Sequence, residues 1–323
     1  MNLAQQLQHL YSEFGHIEGI HIELHKELIA VAVNNSAAKA LIFLQGGQVA
    51  EYQAHGHSKT LWLSSSNRYQ QGQPLRGGIP ISWPWFGQLA QNPKAITAQF
   101  DAAAQPPAHG FARNNLWQLD SITPVSNSQT QLKLSYELAA EQQALWPYAS
   151  RLELTITVGE QLELNLAVTN TGSKPFSYSS ALHSYYAVGD ISRCQVSGLE
   201  EQRYIDKLDH EQVKTQQGLL SISTETDRIY QHSRLQQKEL PTIRLIDKEQ
   251  QQQTLIHSSG SHSTVVWNPW RNKAQHLNNF ADDDYQQMLC IETANVGDDI
   301  VTLAPRQSRQ LQLVIKPQPL SAT

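Results

Sequence analysis

The stretch SRLELTITVGEQLELNLAVTN, residues 150–170, decides the fold class of this 323-residue chain. In its second half Leu162, Leu164, Leu166 and Val168 occupy alternate positions, with polar residues such as Glu163 between them. A period of two places apolar side chains on one face of a β-strand. The stretch therefore predicts half-buried strands.

Runs of the same kind fill the chain from about residue 17 onward. Alternating and β-branched segments bounded by Gly, Pro, Asn and Ser are typical of strands; they include GIHIEL, ELIAVAV, KALIFLQGGQVAEYQ, QLKLSYEL, TIRLID, TLIHS, STVVWN, MLCIETA and RQLQLVIK. Helical spacing occurs in the first fourteen residues, at Leu3, Leu7 and Leu10. Many strands with few helices indicate an all-β sandwich. We predict a helical extension over residues 1–16 and one β-sandwich domain over residues 17–318.

Composition excludes several classes of protein. The net charge of −5 and the absence of a basic cluster argue against a nucleic-acid surface. The N-terminus lacks the pattern of a secretory signal, and the longest apolar runs are far shorter than the roughly 18 residues of a membrane span. We expect a cytoplasmic monomer without nucleic-acid or membrane partners. Cys194 and Cys290 lack a metal-binding spacing, so we expect both to be reduced thiols with no metal role.

Four segments interrupt the strands with dense Gly, Pro, aromatic and ionisable residues, as loops that carry active sites do. They are RGGIPISWPWFG (76–87), HGFARNNLW (109–117), ALHSYYAVGDI (181–191) and a stretch that runs from WNPW (267–270) to CIET (290–293).

Each residue of interest in these segments also has a purely structural interpretation. Arg76 precedes two glycines, which would let a ligand approach the backbone closely. The aromatic residues of 83–86 fit a core as well as a site, and His109 and Arg113 fit an exposed surface equally well. His183 after an apolar pair is more typical of a core histidine. Glu292 follows the apolar run Met288–Ile291. A carboxyl group directly after buried strand residues is unusual and indicates a function, such as general acid/base catalysis at a raised pKa.

Three other patterns do not indicate a functional site. His55 and His57 have the H-x-H spacing of some metal sites, but no glutamate follows, so an exposed loop is the better interpretation. The acidic run 282–284 is typical of a solvated loop. Serines are available, but the G-x-S-x-G turn of serine hydrolases is missing.

Taken together and in order, RGGIPISWPWFG, HGFAR, ALHSYYAVGDI, TDRIY (226–230), WNPW and CIET resemble the hexose-6-phosphate mutarotases, or glucose-6-phosphate 1-epimerases. These are a branch of the aldose 1-epimerase, or galactose mutarotase-like, proteins, and the likeness spans roughly residues 25 to 315. The resemblance implies a galactose mutarotase-like β-supersandwich, a small sugar-phosphate substrate, and no cofactor or metal.

The resemblance also implies roles for individual residues. It places the catalytic pair at His183 and Glu292, and it places substrate-binding residues at Arg76, Arg113, Asp227 and, in the wider superfamily, His109. Ala108 stands where some relatives carry glutamine, and the loop 88–107 is longer than expected. The conformation of that loop stays open at this point.

The implied reaction opens the hemiacetal ring of an aldose and recloses it on the other face of C1. A base removes the proton of the C1 hydroxyl while an acid protonates the ring oxygen, and we expect these two groups on different sides of the ring. A 6-phosphate would be held by guanidinium groups. Two alternatives stay open: a 1-epimerase of free aldoses, and a carbohydrate-binding or regulatory protein without turnover. A glycosidase is disfavoured because no second carboxyl group accompanies Glu292.

Overall fold

The computed structural model describes residues 2–100, 106–139, 145–232 and 241–320. In these ranges the strands, in chain order, are β1 (Ile20–His25), β2 (Leu28–Asn34), β3 (Ala38–Phe43), β4 (Gln48–Ala54), β5 (Ile81–Ser82), β6 (Gln118–Ser126), β7 (Gln129–Leu138), β8 (Ser150–Val158), β9 (Leu162–Asn170), β10 (Phe176–Tyr178), β11 (Ser180–Leu182), β12 (Tyr185–Ala187), β13 (Cys194–Ser197), β14 (Arg203–Asp206), β15 (Gln212–Thr215), β16 (Thr226–Gln231), β17 (Ile243–Asp247), β18 (Gln252–Ser259), β19 (Ser263–Asn268), β20 (Met288–Asn295), β21 (Val301–Leu303) and β22 (Ser308–Pro319). The α-helices are α1 (Leu3–Phe14), α2 (Lys94–Thr97) and α3 (Trp270–Ala274). The all-β prediction is therefore confirmed.

Two eight-stranded sheets dominate the molecule. One, which we call the back sheet, has the order β13-β17-β18-β22-β9-β8-β7-β6. The other, which we call the site sheet, has the order β15-β14-β16-β19-β20-β11-β5, with β12 also paired to β20. Strands β1 to β4 form a four-stranded meander, and β10 pairs with β21. All of these strand pairs are antiparallel.

The back sheet has the pattern that the sequence predicts. In β9 the four apolar residues from Leu162 to Val168 are buried, and the residues between them are half-buried. Their side chains join one hydrophobic cluster with apolar residues of the meander and of the site sheet. That shared core holds the sheets against each other.

Strand β20 differs because all eight of its residues are buried. A strand that is covered on both faces offers no solvent to a polar side chain, so a polar residue within it must have protein partners or a ligand. Glu292 is such a residue.

Helix α1 is confirmed where the leucine spacing predicts it. It begins at Leu3 because the Asn2 side chain accepts the N–H of Gln5, while the Gln5 side chain accepts the N–H of Asn2. Its Leu10 and Phe14 are buried in the main core cluster. Among the described residues no helix has the length and apolar character needed to span a membrane.

The first chemistry-bearing segment corrects an expectation. Gly77 and Gly78 adopt φ of +113° and +61°, and a Cβ on them would lie 2.5 Å from the Trp62 carbonyl oxygen and 2.2 Å from that of Val49, respectively. The glycines are thus required by close contact with the protein's own backbone. The idea that they admit a ligand was wrong.

Candidate active site

A cavity of about 630 Å³ opens beside the site sheet, and the four chemistry-bearing segments all contribute to its wall. All six residues that the sequence analysis proposed for a site line it: Arg76, His109, Arg113, His183, Asp227 and Glu292. The loop after Gly87 supplies a further part of the wall through Gln88, Gln91 and Asn92.

His183 and Glu292 are brought together by strand pairing. Leu182 in β11 pairs with Thr293 in β20, so the residues that follow and precede them become neighbours. The His183 Nε2 atom lies 3.4 Å from Glu292 Oε1. Both residues are buried, with 7% and 1% of their surface exposed. His183 Nδ1 and Glu292 Oε2 have no hydrogen-bond partner among the described residues.

Burial sets the protonation of this pair. It raises the pKa of the Glu292 carboxyl well above its ordinary value, and Asp227 raises it further. Burial, together with the guanidinium groups of Arg113 and Arg76, lowers the pKa of His183 to about 3. Burial therefore favours the neutral form of both groups, with the shared proton on the carboxyl group rather than on the imidazole.

The short distance between the two groups corrects the expectation that acid and base lie on different sides of the ring. Groups whose atoms are 3.4 Å apart cannot flank a pyranose. They can instead reach two neighbouring atoms of it. The hydroxyl oxygen on C1 and the ring oxygen meet this need because both are bonded to C1.

His109 lies beside His183, with ring centroids 5.2 Å apart in an edge-to-face arrangement. Its Nδ1 is 3.3 Å from the backbone N–H of Gly87, which can only donate, and 3.1 Å from the Ser82 hydroxyl. The neutral ring therefore carries its proton on Nε2. Burial lowers the pKa of His109 well below its usual value, and Arg113, His183 and Arg76 add to this effect. His109 is thus a neutral hydrogen-bond donor.

Two guanidinium groups border the same cavity. Arg113 Nη2 donates to the Ala108 carbonyl oxygen at 2.7 Å, while its buried Nε has no partner among the described residues. Burial and the charge of Arg76 lower the pKa of Arg113 to about 10, against an opposing effect of Tyr185. Arg76 donates from Nε to the Asn278 carbonyl oxygen at 3.0 Å. Arg113 therefore remains cationic at neutral pH, and an anion bound between the two guanidinium groups would relieve their repulsion.

Asp227 lies on β16, opposite Trp267 of β19. Burial raises its pKa to about 6, although Lys273 and Lys207 act in the opposite direction. Both lysines line the cavity, and they form ion pairs with Glu225 and Glu211, respectively. Sequence reasoning missed these lysines, because no local pattern marks either of them.

The aromatic residues of 83–86 divide between site and core, because Phe86 lines the cavity and the two tryptophans do not. Tyr185 stacks on His183, with centroids 4.8 Å apart and an angle of 8° between the rings, and Trp267 also lines the cavity. Trp83 and Trp85 are fully buried in the main core, so their structural interpretation was the right one.

Cys290 has neighbours in the fold that its position in the sequence does not show. It lies two residues before Glu292 on the same strand, and therefore on the same face. One ligand atom from each of His183, Cys290 and Glu292 lies within 4.8 Å of the others. The cysteine thus has the histidine and carboxylate partners that its sequence spacing did not show. His55 belongs to an exposed turn, where its Nε2 lies 3.0 Å from the Asn35 carbonyl oxygen.

Comparison with known proteins decides the family. The sequence profile described as aldose 1-epimerase matches residues 30–316. The chain belongs to the aldose 1-epimerase family. It is 32% identical over 291 residues to a protein of Cenchrus ciliaris named "Putative glucose-6-phosphate 1-epimerase", covering 87% of this chain and 82% of that one. A protein of Escherichia coli with the same name is 32% identical over 277 residues, covering 84% and 85%.

Solved structures agree with this assignment. A crystal structure described as a putative mutarotase of Salmonella typhimurium superposes with a TM-score of 0.82 at 26% identity, covering 94% of this chain and 95% of that one. A galactose mutarotase-like protein of Clostridium acetobutylicum gives a TM-score of 0.68 at 14% identity over 93% and 98% of the two chains. The galactose mutarotase-like fold and membership of an epimerase family are therefore confirmed.

Proposed function

We propose that this aldose 1-epimerase family member interconverts the α and β anomers of a hexose 6-phosphate, with glucose 6-phosphate as the first candidate. The observation that carries the proposal is the buried pair formed by His183 and Glu292, 3.4 Å apart in a cavity that also holds two guanidinium groups. An acid/base pair suits turnover, whereas binding alone does not need one. A protein that only binds carbohydrate is therefore the weaker alternative.

In the proposed reaction the Glu292 carboxylate takes the proton of the C1 hydroxyl. The bond between C1 and the ring oxygen breaks, and its electron pair goes to the ring oxygen, which takes a proton from the His183 imidazolium. Rotation about the bond between C1 and C2 turns the other carbonyl face toward the ring oxygen, and the same proton transfers run in reverse. The pair begins and ends with one proton, so the chemistry balances without a cofactor.

The reaction as written starts with the shared proton on His183, whereas burial favours this proton on Glu292. Arg113 and Arg76 contribute to this preference because their charges lower the pKa of His183. A phosphate dianion bound to them would offset those charges and raise the pKa of the imidazole. Phosphate recognition would then favour the reactive protonation state as well as binding.

The guanidinium groups of Arg76 and Arg113 are the proposed phosphate ligands, because planar, bidentate donors match phosphate oxygens. His109 Nε2–H and Asp227 would contact sugar hydroxyls. The names of the relatives from Cenchrus ciliaris and Escherichia coli support the 6-phosphate. A cytoplasmic, monomeric protein that needs no metal stays our prediction.

The direct test is exchange NMR or polarimetry of anomer interconversion on matched pairs of sugars, each with and without the 6-phosphate. We expect the catalysed rate to be highest with a hexose 6-phosphate, with glucose, galactose and mannose 6-phosphates compared side by side. If the protein accelerates the interconversion of no aldose above its spontaneous rate, the enzyme proposal is wrong.

One observation favours free aldoses as the second candidate. Arg113 and Arg76 each donate one hydrogen bond to a backbone carbonyl, so part of each guanidinium already serves the protein. An Arg113→Ala variant separates the two candidates. If Arg113 binds phosphate, kcat/KM for the hexose 6-phosphate falls about 10- to 150-fold in this variant, because hydrogen bonds to charged groups contribute roughly 1.5–3 kcal/mol. The value of kcat/KM for the free sugar barely changes.

Two further variants complete this comparison. Arg113→Lys should recover part of the loss, because an ammonium group cannot reproduce the planar fork. Arg244→Ala, on an exposed position of β17 in the back sheet, is the matched control and should change neither substrate. Equal losses with both substrates in Arg113→Ala would instead favour the free-aldose reaction.

A further inference from the structure

The catalytic pair has a third buried neighbour that the proposed reaction does not use. Cys290 is fully buried and lies on the same face of β20 as Glu292. Cys290 pairs with two aromatic residues of the adjacent strands, Tyr185 of β12 and Trp267 of β19. We propose that His183, Cys290 and Glu292 together form a binding site for a thiophilic divalent cation such as Zn²⁺, and that occupation of this site inhibits the enzyme.

The geometry supports a three-ligand site. The candidate ligand atoms lie within 4.8 Å of one another, and His183 Nε2 is 3.4 Å from Glu292 Oε1. Ligands of a tetrahedral zinc ion are about 3.5 Å apart, as follows from metal–ligand distances of about 2.0–2.3 Å. The histidine and carboxylate pair already has this separation, and small side-chain rotations would bring in the thiolate.

The hydrogen-bonding state of the residues points to a ligand independently. Glu292 and His183 are more than nine-tenths buried, yet Glu292 Oε2 and His183 Nδ1 have no partner among the described residues. Buried polar atoms without partners are rare and carry a free-energy cost. A metal ion bound by the carboxylate would give Glu292 the partner that the described residues do not supply.

The charge balance also allows a dication. Zn²⁺ would displace the thiol proton of Cys290 and the carboxyl proton of Glu292, both to the buffer, and the resulting thiolate and carboxylate neutralise its two charges. The bound site would therefore have no net positive charge to oppose Arg76 and Arg113. Thiolate and imidazole ligands favour zinc over Mg²⁺ or Ca²⁺, which prefer oxygen ligands.

Inhibition follows from the shared residues. A metal bound to His183 and Glu292 occupies the lone pairs that must accept and release protons during ring opening. Three protein ligands leave a fourth tetrahedral position, which a sugar hydroxyl can take without being turned over. The site does not rest on the proposed reaction, because metal binding can be measured without turnover.

The first test uses Co²⁺ as a spectroscopic probe. Cobalt bound to a thiolate gives a charge-transfer band in the near ultraviolet. We expect the band in the unmodified chain and in Cys194→Ser, the matched control that removes the other cysteine, and we expect its loss in Cys290→Ser. Absence of the band in the unmodified chain, or its survival in a folded Cys290→Ser, would overturn the site. If Cys290→Ser fails to fold, Cys194→Ser still decides the matter, since Cys290 is then the single cysteine of the chain.

The second test measures inhibition by Zn²⁺, with each variant normalised to its own rate without metal. Loss of a ligand should weaken inhibition at least about 10-fold in Cys290→Ser, since changes beyond the ligands alone cost 10–100-fold in metal affinity. Cys194→Ser should keep the zinc response, Mg²⁺ should have no effect, and a chelator should restore the rate. Equal inhibition of both variants would contradict the proposal. A cobalt band without any epimerase activity would instead keep the metal site and reject the proposed function.

Discussion

Glu292 is a buried carboxyl group with an unpartnered oxygen, and this arrangement costs stability. Because its pKa in the folded protein lies well above the unfolded value of about 4.3, folding above that pH requires the uptake of a proton. The cost is absent below the unfolded pKa and grows as the pH rises toward the folded pKa.

Glu292→Gln should therefore be more stable than the unmodified chain, and increasingly so as the pH rises. We expect little difference in the free energy of unfolding near pH 4 and a gain that grows as the pH rises toward pH 8. Urea unfolding at several pH values measures this gain. Glu18→Gln, on an exposed residue, is the control, and a gain that does not depend on pH would show that desolvation of the carboxylate is not the cause.

The same substitution should abolish catalysis. Positioned proton transfer contributes about 10²- to 10⁴-fold per group, so Glu292→Gln and His183→Asn should each lose at least about 10² in kcat. The double variant should lose little more than either single one, because the two groups act as a unit. Near-normal turnover in either folded variant would exclude the proposed roles.

The pH dependence of kcat/KM follows from the directions of the two pKa shifts. The active pair holds one proton, so activity falls at low pH only when a second proton binds, and the pKa of His183 of about 3 places that loss far below the usual range of an imidazole. Activity at high pH is lost when Glu292 ionises, well above its ordinary pKa. We expect a plateau of activity that begins below the usual range of an imidazole and ends above the ordinary pKa of a carboxyl group, measured with a chelator present. A free sugar should be run in parallel, because the phosphate itself titrates near pH 6. An acidic limb near pH 6.5 with both sugars would contradict this assignment.

At the scale of elements, the segment between β4 and β5 depends on its paired glycines. A Cβ at Gly78 would lie 2.2 Å from the Val49 carbonyl oxygen, and φ there is +61°. Gly78→Ala should therefore cost more than about 3 kcal/mol of stability, through clash as well as strain. Gly56→Ala is a matched control, because its φ is +80° but nothing lies within 4 Å, so backbone strain alone should cost about 1–2 kcal/mol. Thermal unfolding of both variants makes the comparison, and equal losses would mean that the contact with Val49 relaxes freely.

Elements with strong local patterns could be predicted from the sequence. The alternation in 162–168 predicts β9, and the leucine spacing near the N-terminus predicts α1, because each pattern reports which face of the element is buried. The meaning of a loop residue could not be predicted in this way. The glycines of 77–78 looked like an opening for a ligand, but they are set by backbone contacts that the sequence does not encode locally.

At the scale of the whole molecule, the site joins residues that strand pairing brings together from distant parts of the chain. The resemblance marked all six proposed residues because their motifs are short and ordered, and the structure places each of them on one cavity. Cys290, Lys207 and Lys273 carry no such motif. Their place in or beside the site depends on the register of β20 with its neighbours and on the tertiary structure that brings both lysines near Asp227.

Charge is arranged differently over the whole chain and inside the cavity. The chain carries a net charge of −5, which opposes the approach of a phosphate dianion, while Arg76 and Arg113 attract it locally. The local attraction should prevail, because under the proposed function the two guanidinium groups would contact the phosphate directly, well within one Debye length, whereas the net charge is spread over the whole surface. Added salt screens that attraction and supplies competing anions.

We therefore expect KM for the hexose 6-phosphate to rise several-fold between low and high ionic strength, while KM for the free sugar stays constant. Sulfate should raise it more than chloride at equal ionic strength, because its tetrahedral oxygens match the same guanidinium forks. In Arg113→Ala both effects should shrink toward the behaviour of the free sugar. A salt response that is equal for the two substrates, or unchanged in Arg113→Ala, would mean that the 6-phosphate is held elsewhere in the cavity, for which Lys207 and Lys273 are the next cations to replace.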